Sequence, residues 1–227
     1  TTEAQFAEAA VSCRAWASQH PKAQMRDLIS VDDVLNSRAI ADPLKVLDCS
    51  LVSDGGAAVV ITRQDRAKDG PHQPVTLLGY GEGHAYEHIS QAKNLTTSAA
   101  VQSGRAAYDE AGLTPDDIDL LQLYDCFTPA LLMQIEDLGF CSKGEGGAWL
   151  ASGISRPGGS KPMNTHGGML SYCHPGNPGA MFGLTEAITQ MRGDAGDRQL
   201  PNVRTALCHA QGGIMSSHAT IILGVGD

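Results

Sequence analysis

Apolar residues at helical spacing open the chain: between residues 3 and 19, Phe6, Ala10, Cys13 and Ala17 recur along one face, which predicts an amphipathic helix ending before Pro21. After an irregular stretch, Ser30 followed by Asp32 and Asp33 reads as an N-cap with an acidic first turn, for a short helix carrying Val34 and Leu35 and stopped by Pro43. The pattern then changes to that of strands. Residues 46–52 and 57–62 of VLDCSLVSDGGAAVVIT predict two β-segments around an SDGG turn, the second apolar on both faces and suited to burial. Residues 75–80 predict a further strand, with Gly79, Gly81 and Gly83 forming a turn at its end. A phosphate-cradling loop is the alternative for these glycines, but no helix starts promptly after them.

Residues 97–112 predict a helix with a glycine stop, TPDD a capped helical scrap, and IDLLQLYDCF a strand running into a loop. A helix starting at Thr128 or Pro129 carries the stripe Leu131, Leu132, Ile135 and Leu138, which is expected to face the core. Residues 140–178 are dense in Gly, Pro, Ser and Asn, and so long a loop is uncommon unless it is functional. A helix over 179–192 and strands over 203–209 and 219–225 complete an alternation that predicts an α/β fold.

Composition narrows the function. With 42% hydrophobic and 18% charged residues among 227, the chain can bury a sizeable core. A net charge of -9 without a Lys/Arg run disfavours nucleic acid and anionic membranes as partners. No apolar run approaches the roughly 20 residues that span a bilayer, and TTEAQFAEAAVSC is not a signal peptide, so a cytoplasmic location is expected. The six cysteines are widely spaced without a CxxC pair, which predicts reduced thiols and, with the histidine spacing, no zinc site. The first residue is not Met, which suggests processing or truncation.

Three polar clusters sit where strands pass into loops, the usual place for α/β sites: Tyr124 to Phe127, Asn164 to His174 and Cys208 to Gly213. LLQLYDCFTPALLMQIEDLGFCSKGEGG, KPMNTHGG, HPGNPG and the closing CHAQGG, in that order, resemble the C-terminal motifs of sterol-carrier and lipid-transfer-type thiolases. DPLKVLDCSLVSDGGAAVVIT extends the likeness over nearly the whole chain. The resemblance implies a thiolase-like layered αβαβα fold. In it, residues 1–45 belong to a loop domain, 46–72 end the N-terminal half, and 73–227 form the C-terminal half. It also implies that most of the N-terminal half lies outside this sequence, with the nucleophilic cysteine at a helix start; the 227 residues alone are then expected to be inactive.

Departures from the family pattern refine the expectation. Tyr124 stands where the lipid-transfer branch has the histidine of HDCF. Cys126 matches a cysteine that can serve there as acid or base. His174 matches the histidine of a GHPxGxTG-like loop, and His209 that of an HNxG-like motif whose asparagine is here Ala210. Tyr172 adds a phenol two residues before His174. Thiolysis of a 3-ketoacyl-CoA needs a thiolate and a base, whereas cleavage of a 3-hydroxyacyl-CoA needs removal of a hydroxyl proton. A phenol, at a reference pKa of about 10, suits a developing alkoxide better than an imidazole at about 6.5. The pattern is therefore similar to the thiolase-like aldolases of steroid side-chain degradation. That likeness implies a CoA thioester as substrate, no cofactor or metal, a homodimer, and a partner of OB-fold and zinc-ribbon type.

Expected roles follow: Tyr124 and Tyr172 transfer protons, His174 and His209 donate to the thioester or enolate, Asp125 orients, and Cys126 is a possible acid/base. The bland alternatives are a half-buried amphipathic tyrosine, satisfied loop or core histidines, a turn-bracing aspartate and a small core cysteine. Beside the aldolase stand two other readings, an acetyl-CoA acyltransferase and a catalytically silent lipid-binding or scaffold subunit.

Overall fold

A computed structural model describes residues 1–226. Helix α1 (Glu3–Ala17) starts at a Thr2 capping box and buries Ala7, Ala10, Cys13 and Ala17, as its apolar spacing predicts. Helix α2 (Val31–Leu35) is capped by Ser30 and leads into a small antiparallel pair, β1 (Ala39–Ala41) and β2 (Leu44–Lys45).

The two strands predicted over 46–62 do not form. Val46–Asp48 is a 3-10 turn, and residues 49–63 form neither helix nor strand, with one isolated bridge, Cys49 to Phe127. Val52, Val60 and Ile61 are 92, 95 and 90% exposed. Their strand propensity is real, but a strand exists only beside a neighbour, and none of the described strands pairs with this segment.

After the short helix α3 (Gln64–Ala67) comes one four-stranded sheet. Its members are β3 (Thr76–His84), β4 (Leu120–Gln122), β5 (Thr205–Gly212) and β6 (Ser217–Gly224), in the order β3-β6-β5-β4; β4 and β5 are parallel and the other pairs antiparallel. Gly79, Gly81 and Gly83 lie inside β3 and not in a turn after it. They alternate on the face covered by α4 (Ala100–Ala111), where a Cβ would run into the carbonyl oxygens of Ala107, Ser103 and Ala99. The glycines thus serve close backbone approach. Helix α4 ends at Gly112 in the left-handed conformation.

Helix α5 (Thr128–Asp137) follows β4, and its Leu131, Leu132 and Ile135, with Leu138 just beyond, are all buried. They join Leu121, Leu207 and Ile222 from one sheet face in the main core, where Leu131→Ala is expected to cost about 2–5 kcal/mol. The glycine-rich region is not one loop. It contains α6 (Gly146–Ala151) and α7 (Gly168–Ser171), both packed against α1. Helix α8 (Gly179–Met191) covers the opposite sheet face, against Leu120, Ala206, Cys208 and Leu223. Alternate residues of β4, β5 and β6 therefore enter two cores, the signature of a sheet with helices on both faces. No helix among the described residues is long and apolar enough to cross a membrane.

Candidate active site

Strand β4 ends at Gln122, and side-chain amides take over the pairing of the next two residues. Asn164 accepts from Leu123 N at 2.8 Å and donates to Leu123 O at 3.0 Å. Gln134 accepts from Tyr124 N at 3.0 Å and donates to Tyr124 O at 2.7 Å. Both amides are buried, so each satisfies two backbone groups that would otherwise be left unpaired. The Tyr124 side chain is thereby aimed. Sequence reasoning placed Asn164 in a polar cluster without this role and did not single out Gln134. The signal for Gln134 was a polar residue three positions after Leu131, on the buried stripe of α5.

The Tyr124 hydroxyl lies 3.0 Å from His174 Nε2, with the rings nearly perpendicular at 83°. His174 Nδ1 lies 2.8 Å from Ser50 Oγ, and its backbone N donates to Ser53 Oγ at 2.9 Å. The segment over 49–63 is strapped down there: Ser50 N donates to Cys126 O and Leu51 N to Met169 O. A Cβ at Gly179 would sit 2.9 Å from His174 Cδ2, so a glycine makes room for the imidazole. Burial pushes Tyr124 up to about 12 and lowers His174, the charges of Cys126 and Asp125 adding to the tyrosine's shift. Both groups are neutral near pH 7. One proton lies between them, and the chain Ser50–His174–Tyr124 can carry it in either direction.

Asp125 is turned away from that pair. It accepts from Met169 N at 2.8 Å, Leu170 N at 3.2 Å and the Cys13 thiol at 3.3 Å, bracing α7 and the helix beneath it. Burial lifts it to about 6 although these bonds favour the anion. Its carboxylate fills the space a Cβ on Gly168 would need, and Gly168 has φ 65°. Cys126 is held as a thiol by burial, up to about 12, and Gln211 donates to its sulfur at 3.9 Å. The other five thiols are raised by burial as well, so none of the six is poised as a thiolate.

His209 sits behind the pair, in a line of hydrogen bonds whose directions can be assigned from its end. His218 Nε2 donates to Met215 O at 3.2 Å, so His218 Nδ1 accepts from His209 Nε2 at 3.0 Å. His209 Nδ1 then accepts from the Thr220 hydroxyl at 2.8 Å, and Ser103 closes the line, 2.8 Å from Thr220. Burial holds His209 neutral, down to about 3. Its one N–H is thus already given to His218, and the donor expected from the sequence is not free in this arrangement.

Tyr172 is one ring removed. It packs on His20 at 4.6 Å, His166 at 5.3 Å and Phe182 at 5.8 Å between ring centroids. Tyr124, Asp125, His166 and His209 share the wall of one cavity, which His174 reaches through Tyr124 and Tyr172 through His166. Tyr124 and His174 are thus in direct contact, while His209 and Tyr172 stand farther from them. Among the described residues, no cluster of three His, Cys, Asp or Glu is placed to hold a metal ion.

Comparison with known proteins agrees with this architecture. Residues 81–225 match the family described as thiolase C-terminal domain-like. The chain is 37% identical to a steroid side-chain-cleaving aldolase of Thermomonospora curvata, over 98% of this chain and 57% of that protein. It is 38% identical to the 17-hydroxy-3-oxo-4-pregnene-20-carboxyl-CoA lyase of Mycobacterium tuberculosis (85% and 50%), and 36% identical to an acetyl-CoA acetyltransferase of Methanothermobacter thermautotrophicus (94% and 56%). Among solved structures it superposes on an Ltp2-ChsH2(DUF35) aldolase with a TM-score of 0.91 at 36% identity, over 99% of this chain and 59% of that one. The chain spans about half the length of the curated relatives it matches.

Proposed function

Because this chain belongs to the thiolase C-terminal domain-like family, we propose that the whole protein cleaves a carbon-carbon bond of a 3-hydroxyacyl-CoA by retro-aldol chemistry, in lipid or steroid side-chain breakdown. The observation that carries the reading is the Tyr124–His174 hydrogen bond. A phenol held near 12 is a poor base alone at neutral pH, but it takes a hydroxyl proton readily if its own proton moves to an adjacent imidazole. As the hydroxyl proton passes to Tyr124 Oη, the phenol proton passes to His174 Nε2, while Nδ1–H donates to Ser50. The bond between C2 and C3 breaks, C3 becomes a ketone, and the electron pair forms the thioester enolate. A proton then reaches C2, for which Cys126 as a thiol and Tyr172 are the candidate acids. His209 serves as an enolate donor only by exchanging His218 for the thioester oxygen; otherwise it is a brace.

Acyl transfer is the second reading, supported by the relationship to the acetyltransferase. It needs a thiolate, which burial of all six cysteines disfavours, so on this reading the nucleophile belongs to another part of the protein. Domain assignment follows the same reading, with residues 1–45 in a loop domain, 46–72 ending a first half and 73–227 as the second. A homodimer and a separate OB-fold, zinc-ribbon-type partner belong to it too; the aldolase with which the chain superposes is a two-component assembly by its name. The test is product analysis on the full-length protein with its partner. Ketone and a shorter acyl-CoA released from a 3-hydroxyacyl-CoA without consumption of free CoA support the aldolase. CoA-dependent thiolysis of the 3-keto analogue alone replaces it with acyl transfer.

A further inference from the structure

Beneath Tyr124 the buried polar side chains form a line with an open end. Arg198 and Glu186 make a buried two-bond ion pair, with Nη2 to Oε2 at 3.1 Å and Nη1 to Oε1 at 3.3 Å. The Thr165 hydroxyl donates to Glu186 Oε1 at 2.7 Å. Its proton being committed to a carboxylate, Thr165 Oγ1 can only accept, and it does so from Gln122 Nε2 at 3.2 Å. The ion pair thus dictates which way round the Gln122 amide sits, and Oε1 is turned to the other side. There it is buried and without a partner, and so is His166 Nδ1; both residues line the same cavity, together with Tyr124, Gly179, Gly183 and His209. A Cβ at Gly183 would lie 3.1 Å from Gln122 Cβ and 3.7 Å from its Oε1, so the glycine keeps this wall open.

We infer that this cavity is a specific site for one ordered water molecule, bound between Gln122 Oε1 and His166 Nδ1. Size selects the ligand. The cavity measures about 10 Å³, against roughly 10–15 Å³ for a single water and far more for any organic group. Chemistry selects it too. An acceptor that cannot be reoriented, opposite an imidazole nitrogen that either accepts or donates, is matched by a molecule with two donors and two acceptors. A buried donor or acceptor left bare keeps its full desolvation penalty, which a bridging water removes for both atoms. The imidazole is neutral at ordinary pH, since burial takes it down to about 3, so one nitrogen keeps its lone pair. The water would join the Arg198–Glu186–Thr165–Gln122 line to the wall that carries Tyr124, whatever reaction that wall serves.

The test is a crystal structure of the full-length protein at high resolution, with imidazole nitrogen shifts of His166 followed by NMR. A peak within about 2.7–3.2 Å of both atoms is expected. In Gln122→Leu the peak should disappear and the His166 shifts should move, while those of His174 stay. No density between the two atoms in the unmodified protein overturns the inference, as does a direct Gln122–His166 bond or a water that persists unmoved in Gln122→Leu. Should Gln122→Leu fail to fold, Thr165→Val gives the second measurement. It removes the group that fixes the amide while leaving Gln122 in place, so the peak should persist with the amide free to turn over; its loss overturns the inference as well.

Discussion

Two hydrogen-bonded pairs, each containing a histidine, are built for opposite ends. In Tyr124–His174 both groups are half-buried, and the line ends in the Ser50 hydroxyl, which can donate or accept. Every bond in it can reverse. In His209–His218 the line ends on the Met215 carbonyl, which can only accept, and that fixes every proton behind it. The elements are similar, yet the first is a relay and the second a brace. The terminal atom decides between them, and no count of histidines or reading of their spacing would do so.

The sharpest test of this contrast is Tyr124→Phe in the full-length protein, which keeps the ring and removes the relay. Turnover of a 3-hydroxyacyl-CoA should fall by about 100-fold or more with little change in KM, and cleavage of the 3-keto analogue should fall less. Parallel steady-state kinetics decide it; unchanged hydroxyacyl cleavage by a folded variant removes Tyr124 from the chemistry. His209→Leu should do the reverse. It strands His218 Nδ1 and the Thr220 hydroxyl, at an expected cost of about 1–3 kcal/mol in urea unfolding, while turnover per folded molecule changes only a few-fold. A collapse of turnover at full stability would restore His209 as a direct donor.

Acidity separates the two pairs less steeply. His209 and His166 are held near 3 and His20 near 4 in the folded chain, all below the ordinary 6.5. From 6.5 downward the unfolded chain binds protons that the folded one refuses, so these groups lower stability as pH falls, each by at most about 1.4 kcal/mol per pH unit. Asp125 works the other way. Raised to about 6, it holds a proton that its unfolded form, ordinarily near 3.8, has lost, so it favours the fold as pH falls through that window. With His174 and His218 lowered as well, five histidines outweigh two raised carboxyls, Asp125 and Glu186. Urea midpoints at pH 7 and pH 5 should therefore drop toward acid, and a flat profile would show the histidines to be less sheltered than their burial implies. The smallest expected effect is Ser50→Ala, which takes one hydrogen bond of about 1 kcal/mol from the outer end of the relay and should slow turnover some five-fold. No slowing at all would mean that the relay ends at His174.

The long helices α1, α4, α5 and α8 were legible because an apolar stripe is written locally, and β5 and β6 because apolar runs of that length have few other uses. The segment over 46–62 misled for the complementary reason. Val52, Val60 and Ile61 carry strand propensity, but pairing depends on a neighbour that a local pattern cannot supply. Gly79, Gly81 and Gly83 looked like a turn because their spacing says nothing of the helix lying against them. At the site, Tyr124 and His174 came from motif position. Ser50, Gln134 and Asn164, which aim them, did not, since their partners are backbone atoms or side chains 10 to 124 positions away.

The amide clamps on Leu123 and Tyr124 have one more consequence, in how such a site can be altered over generations. Were the backbone beyond β4 held by a neighbouring strand, re-aiming the residue at Tyr124 would require shifting that strand's register, and every side chain on it would change face. Held by Gln134 and Asn164, it depends on two side chains, so a change at either amide strands two backbone groups but touches no strand pairing. A scaffold wired in this way separates the setting of position 124 from the setting of strand register.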